Sequence, residues 1–305
     1  MNPKSFLLKI IKASGWTQEQ LAHKLGVSFA TLNSWINERS QPRQKALKNI
    51  EKLYLNIVGA DTVDKDHIEK IKSCALKLVL NPLDLVENRK LLDKLTLYLT
   101  YHTNTIEGST MTLSDVEEVI FDNKVLANRT AIEQAEARNH QATLHWLIDK
   151  IVAEDKKFVI DEDLILGIHL RLMNGIISNA GQYRNHPVRI MSSSVVLANW
   201  MKIPKLIEKI VVELNSHSAD LIKDLAKTHA EFEKIHPFSD GNGRAGRLIL
   251  LAQALKHKLM PPLVVKERKH AYYKYLELAQ TEENYDSLEM FIAESVEFTK
   301  GLLFG

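Results

Sequence analysis

Cysteine is nearly absent: Cys74 is the single thiol in 305 residues. One cysteine excludes an internal disulfide and fits a reducing compartment, so the expectation is a cytoplasmic protein with Cys74 as a buried structural thiol. Long apolar runs are also missing. No stretch approaches the ~18–20 residues that a spanning helix needs, so no membrane span is expected. At the N-terminus Lys4, Lys9 and Lys12 interrupt the apolar residues and no cleavage site follows, which predicts no signal peptide. Excess charge is lacking too. The net charge is +2, so overall charge alone points to no polyanion partner. There is no internal repeat and no low-complexity tract. What is left is ordinary globular material, 45% hydrophobic and 26% charged, with length for about two domains.

The charge that is present is unevenly spread. Residues 1–57 hold nine Lys/Arg against three Asp/Glu, a balance of +6, so the remainder carries −4. A basic module joined to a mildly acidic one hints at nucleic acid. Within it, Leu21, Ala22 and Leu25 fall on one helical face, Gly26-Val27 makes a short turn, and Ser28 is a good N-cap for a helix over Phe29–Asn37. Leu32 and Trp35 point inward in that helix. Phe29, Thr31, Asn33 and Ser34 are candidates to face out. The pattern is helix-turn-helix, and from Thr17 through Trp35 to Pro42 it resembles the phage-repressor-like class. Glu38-Arg39-Ser40 stands where that class usually has a glycine. The resemblance implies a recognition helix in the DNA major groove, with Arg39, Arg43 and Lys45 near phosphates. The alternative is a bundle that docks protein or dimerises.

The chain is organised around Ile235–Arg247, I-H-P-F-S-D-G-N-G-R-A-G-R. Asp240-Gly241-Asn242-Gly243 has the composition of a tight turn, and the run after it can be helical. Two glycines in a turn that opens a helix expose backbone N–H groups at the positive end of the helix dipole, which makes a cradle for phosphate. Arg244 and Arg247, three apart, share a helix face and add two cations. Asp240 offers a hard oxygen for Mg²⁺. His236 stands just before the turn, where an imidazole can take a proton at neutral pH. Pro237 stops the preceding helix and Phe238 is an apolar anchor.

His236 through Arg247 resembles the signature of Fic-domain proteins, H-P-F-x-D/E-G-N-G-R-x-x-R, with every position filled. The family's usual activity is transfer of AMP from ATP to a protein hydroxyl. The resemblance implies His236 as general base, Asp240 as the Mg²⁺ ligand, and Gly241, Asn242 and Gly243 at the α-phosphate. It implies Arg244 and Arg247 at the β and γ phosphates. Upstream, Thr103-x-x-x-Glu107-Gly108 matches the family's inhibitory helix pattern, S/T-x-x-x-E-G/N. There the glutamate pairs with the second motif arginine, here Arg247, and a carboxylate on that fork of donors competes with phosphate. Self-inhibition in cis or across a dimer is the expectation.

Two weaker stretches complete the resemblance. Gly181-x-Tyr183-Arg184 followed by Val188, Arg189, Ile190 and Met191 reads as one extended segment, with Val195-Val196 as a possible return strand. It resembles the Fic flap, a hairpin whose edge holds the target peptide by strand addition. Tyr272-Tyr273 and Gln280 fall where the family borders adenine, although Lys269 replaces a common Arg and Gln280 a common Asn. His140, His145 and His229 read as structural histidines.

The predicted fold is therefore all-α: a helix-turn-helix domain over 1–57, a connector over 58–84, and a Fic-fold helical domain over 85–300 with a small β-hairpin flap. The inhibitory helix is placed at about 92–108. The predicted function is adenylylation of a protein Ser, Thr or Tyr hydroxyl, the chain's own included, with ATP and Mg²⁺. DNA is a partner through the N-terminal domain and a homodimer is expected from resemblance. Two readings stay open beside it. One is a DNA-binding regulator controlled by its Fic domain. The other is an enzyme that removes AMP, with Glu107 orienting water.

Overall fold

The computed structural model describes residues 3–60, 64–190, 193–216 and 218–305. The chain forms two compact units, one of Met1–Val63 with Glu267–Tyr275, the other of Asp64–Lys266 with Leu276–Gly305.

The first unit holds α1 (Pro3–Ser14), α2 (Gln18–Leu25), α3 (Phe29–Ile36) and α4 (Gln44–Ile57). Its helix boundaries follow from local chemistry. Thr17 and Gln20 make a reciprocal capping box at the start of α2, and Gly26 closes that helix in the left-handed conformation. The Ser28 hydroxyl then accepts from Thr31 N to start α3. Leu7, Ile10, Leu21, Ala22, Leu25, Leu32, Trp35, Ile36 and Ile50 make the core. Glu38, just past α3, holds φ 59°, which explains why a glycine suits this position, and it pairs with Lys4 at 3.0 Å. The segment 267–275 joins this unit where Ala60 N–H donates to Tyr275 Oη at 2.7 Å.

The second unit comprises α5 (Lys65–Ala75), α6 (Pro82–Glu87), α7 (Arg89–Ile106), α8 (Leu113–Ile120), α9 (Ala131–Glu154), α10 (Glu162–Met173), α11 (Ile203–Asn215), α12 (Leu221–Ile235), α13 (Asn242–Lys256) and α15 (Asp286–Phe304). Helix α14 (Lys269–Glu282) starts in the first unit and ends in the second. Helix α13 packs against α12, α10, α9 and α7, and is buried along nearly its whole length. That burial is what makes its N-terminus a rigid platform.

Helix α5 lies in the stretch read as a connector, yet it packs along α15. The reason is Lys72, 3% exposed, whose ammonium pairs with Glu289 of α15 at 2.6 Å and with Asp220, the N-cap of α12. Removing the cation leaves a buried carboxylate uncompensated. Lys72→Ala is expected to destabilise the fold by about 3–5 kcal/mol, read as a shifted urea midpoint.

Two expectations are corrected. Cys74 is exposed, not buried: α5 turns Ile68, Lys72 and Ala75 inward, and Cys74 is not on that face. Among the described residues there is no strand, only one antiparallel bridge, Val79 with Leu259. The predicted flap hairpin is therefore not formed by Val188, Arg189 and Ile190; Met191 lies outside the described residues. Amides in and around the expected return strand, Val195-Val196, are engaged elsewhere. Ser194 N donates to Glu277 Oε1 (3.0 Å), Val195 N to Ser193 Oγ (3.2 Å) and Ala198 N to Lys234 O (3.2 Å). These three donors are thus not paired with Val188–Ile190 in a ladder.

Candidate active site

The site is built on the corner between α12 and α13. Helix α12 ends at Ile235, and His236 takes the left-handed conformation at φ 50°, ψ 61°. For a residue with a Cβ this costs on the order of 1 kcal/mol. Arg184, 2% exposed, is what holds it there. Its Nε donates to His236 O (2.7 Å), Nη1 to His186 O (2.8 Å), and Nη2 to Ala198 O (2.7 Å) and Ile235 O (3.3 Å). A cation at the carbonyl end of α12 is favoured by the helix dipole as well. Arg184→Met would strip four carbonyls, that of Ile235 buried and the others partly so, of their donor. It is expected to cost about 2–4 kcal/mol of stability by thermal or urea melting.

The loop is closed by two further devices. Asn242 Oδ1 accepts from Phe238 N (2.8 Å) and its Nδ2 donates to Phe238 O (2.9 Å), so its buried amide clamps the turn. Phe238, fully buried, stacks on His169 with ring centroids 3.6 Å apart. The His169 tautomer is fixed by its partners: Nδ1 accepts from Gly181 N (2.9 Å), so Nε2–H donates to Asp240 O (3.0 Å). Burial keeps this ring neutral, its pKa lowered to about 4.

His236 Nδ1 lies 3.2 Å from the Glu233 carbonyl. A carbonyl only accepts, so Nδ1 carries the proton and Nε2 the lone pair. Burial lowers the His236 pKa, so the ring is neutral at pH 7 and can take a proton. The N-terminus of α13 has Gly241 as its N-cap, with no side-chain cap bond. Its first-turn amides thus have no intrahelical partner, the arrangement that favours an anion.

What sits against that first turn is a carboxylate. Gly108, at φ 110°, ends α7 in a conformation that only glycine adopts easily, and places Glu107 at its C-cap. Glu107 Oε1 accepts from Arg247 Nη2 at 2.5 Å, while Arg247 Nε donates to Thr103 Oγ1 at 2.6 Å. A Cβ at Gly243 would run into Glu107 Oε1 and lie 3.1 Å from Arg247 Nη1. Thr103, Glu107, Gly243 and Arg247 therefore converge within one chain.

Other candidates sit differently. Arg244 is buried and its Nη1 pairs with Glu136 of α9 at 2.5 Å, with Nη2 3.7 Å from Asp240. The Asp240 side chain is 63% exposed, and Oδ1 accepts from its own neighbour Gly241 N at 2.6 Å. No cluster of three or more His, Cys, Asp or Glu occurs among the described residues. One exposed carboxylate suits Mg²⁺, which keeps waters and takes phosphate oxygens, better than metals that need a protein cage. Gln280 Nε2 donates to Ala230 O of α12 at 3.0 Å. Tyr272 is buried and Tyr273 exposed, both in the unit that contains the helix-turn-helix.

In that unit Phe29 is 48% exposed and Arg39 and Arg43 are exposed. Thr31, Asn33 and Ser34 are half-buried and already bonded, to Ser28, Gln18 and Ser40.

Sequence reasoning missed Glu136, His169, Arg184 as a clamp, and Glu233. Arg184 had a signal, the Gly-x-Tyr-Arg string. Glu136 and His169 lie on ordinary amphipathic helices and had none.

A family model described as Fic/DOC family matches residues 159–254, and one described as helix-turn-helix matches residues 7–54. A protein adenylyltransferase Fic from Nematostella vectensis is 26% identical over 245 residues, 78% of this chain and 53% of that protein. One from Aedes aegypti is 29% identical over 206 residues, 66% of this chain and 40% of that protein. The chain thus spans about half the length, or less, of these curated relatives. Among solved structures, Fic-1 from C. elegans superposes with a TM-score of 0.68 at 20% identity, covering 93% of this chain and 84% of that one. That likeness is one of fold. No helix among the described residues is long and apolar enough to cross a membrane.

Proposed function

We propose, for a chain that carries a Fic domain behind an N-terminal helix-turn-helix domain, that it is a protein adenylyltransferase held inactive by its own Glu107. The substrate is ATP and the acceptor a Ser, Thr or Tyr hydroxyl, on a target protein or on the chain itself. The observation that carries the reading is the Glu107 carboxylate on Arg247, against the uncapped first turn of α13. A carboxylate in that position has the charge and the hydrogen-bonding needs of a phosphate oxygen.

His236 Nε2 takes the proton of the acceptor hydroxyl. The hydroxyl oxygen then bonds the α-phosphorus, the bond from that phosphorus to the bridging oxygen breaks, and pyrophosphate leaves. The first-turn amides of α13 stabilise the charge that builds on the α-phosphate oxygens. Arg247, once Glu107 has left it, orients the terminal phosphates. Mg²⁺, when bound at Asp240, would neutralise phosphate charge.

The test is incorporation of α- and γ-labelled ATP by the purified protein, run in parallel. Label from the α position alone supports AMP transfer; label from the γ position means a kinase instead. The helix-turn-helix domain adds a second role, binding of duplex DNA through α3 with Arg39 and Arg43 at phosphates. Its mark is binding that weakens steeply as salt rises.

A further inference from the structure

Glu233 lies on α12, one turn before His236, and its side chain takes no part in the chemistry above. Its side chain is buried, and no group among the described residues hydrogen-bonds its Oε1. It is pressed against the backbone of α13. A Cβ at Gly246 would run into Glu233 Oε1 and come within 3.0 Å of Phe232 Cδ1. The next residue is Arg247. The carboxyl is thus set at the α13 backbone one residue before the arginine that Glu107 pairs with.

We infer that Glu233 is a positioning residue for Arg247: a buried carboxyl that, when ionised, draws the arginine's charge inward and, when protonated, leaves it to an anion at the front. This rests on reading Arg247 as an anion seat, the seat Glu107 fills.

The surrounding charges fit this role. Burial raises the Glu233 pKa to about 7; Arg247 pulls it down and Glu107 pushes it up. His229 on the same helix and His140 on α9 are both driven neutral by burial, with pKa values of about 3. Burial likewise lowers His236. Of these groups, Glu233 is the one that changes charge between pH 6 and 8. The sign follows. Glu233 is protonated below about pH 7 and ionised above it. An anion at the front raises its proton affinity, as Glu107 does, so by linkage the proton raises anion affinity. Anion binding at Arg247 is strong below that pH and weakens as pH rises through it.

The experiment has two arms. Carbon NMR of labelled glutamate carboxyls follows titration in the wild type, with Glu233→Gln to assign the signal. The expected midpoint is near 7, falling by about one pH unit in Glu107→Gly, the size of coupling between nearby charges in a protein. A midpoint in the ordinary carboxylate range, or one that ignores Glu107→Gly, overturns the inference. The second arm measures inorganic sulfate, whose own charge is constant in this range, binding to Glu107→Gly. Affinity should be about five- to tenfold greater at pH 6 than at pH 8, and independent of pH in Glu107→Gly/Glu233→Gln. Sulfate affinity that is flat with pH in Glu107→Gly, or absent, also overturns it. Neither arm uses nucleotide or catalysis, so failure of AMP transfer would leave both results readable.

Discussion

Replacing Glu107 with glycine is expected to raise AMP incorporation by about 10- to 100-fold. The magnitude comes from the ion pair. A charge-assisted hydrogen bond to a mostly buried guanidinium contributes about 1.5–3 kcal/mol, and each 1.4 kcal/mol is tenfold. Arg247 is nearly buried on its side chain and Glu107 half-buried, so solvent screens the pair only in part. Any phosphate that reaches Arg247 must first displace this carboxylate. Glycine removes the competitor and also frees the space beside Gly243, which the Glu107 oxygen now fills. The helix end tolerates the change, because Gly108 already supplies the left-handed turn that ends α7. The check is initial-rate labelling with α-labelled ATP at one protein concentration, wild type beside variant. Equal rates would mean the carboxylate is a surface ion pair and not an inhibitor.

The second large effect is a loss. His236→Ala, placed in the active Glu107→Gly background, is expected to lower transfer by about 10²–10⁴-fold. The imidazole supplies a neutral base at the corner: its Nδ1–H is tied to the Glu233 carbonyl, which leaves Nε2 to take the hydroxyl proton. Burial lowers its pKa, so the base form dominates at neutral pH and is lost as acid protonates it. Alanine keeps the backbone at positive φ with no imidazole, and Arg184 still holds the carbonyl. Nucleotide affinity measured on the same variant should therefore change little. Transfer that survives the substitution would assign the proton to another group.

How legible all this was depends on the range of the interaction involved. The helix-turn-helix boundaries were readable because Thr17, Gly26 and Ser28 act on residues within four positions. The end of α12 and the start of α13 were readable because Pro237 and the Asp-Gly-Asn-Gly turn act locally too. The pairing of Glu107 with Arg247 spans 140 residues. Resemblance implied it; nothing in the local pattern did. Glu136 with Arg244, His169 under Phe238 and Glu233 against Gly246 are products of helix packing, with no periodic or motif signal. The hairpin expectation failed for the same reason. Alternating Val188 and Ile190 predicts strand, but the fate of the amides at 194–198 is settled by Glu277 and Lys234, which come from other helices. The Asn242 side-chain clamp on Phe238 was likewise not legible from the local pattern. Cys74 was read as buried because most cysteines are, and the face that α5 buries is set by Lys72 and its partners.

The most direct measurement of the central claim compares ATP with ADP by calorimetry, in wild type and in Glu107→Gly. If Glu107 holds the seat of the terminal phosphate, wild type should bind the two nucleotides within about twofold of each other. The variant should then prefer ATP by about tenfold, since only ATP carries the group that takes the place of Glu107 on Arg247. An ATP preference already present in wild type, or a variant that gains equally for both nucleotides, would contradict the account.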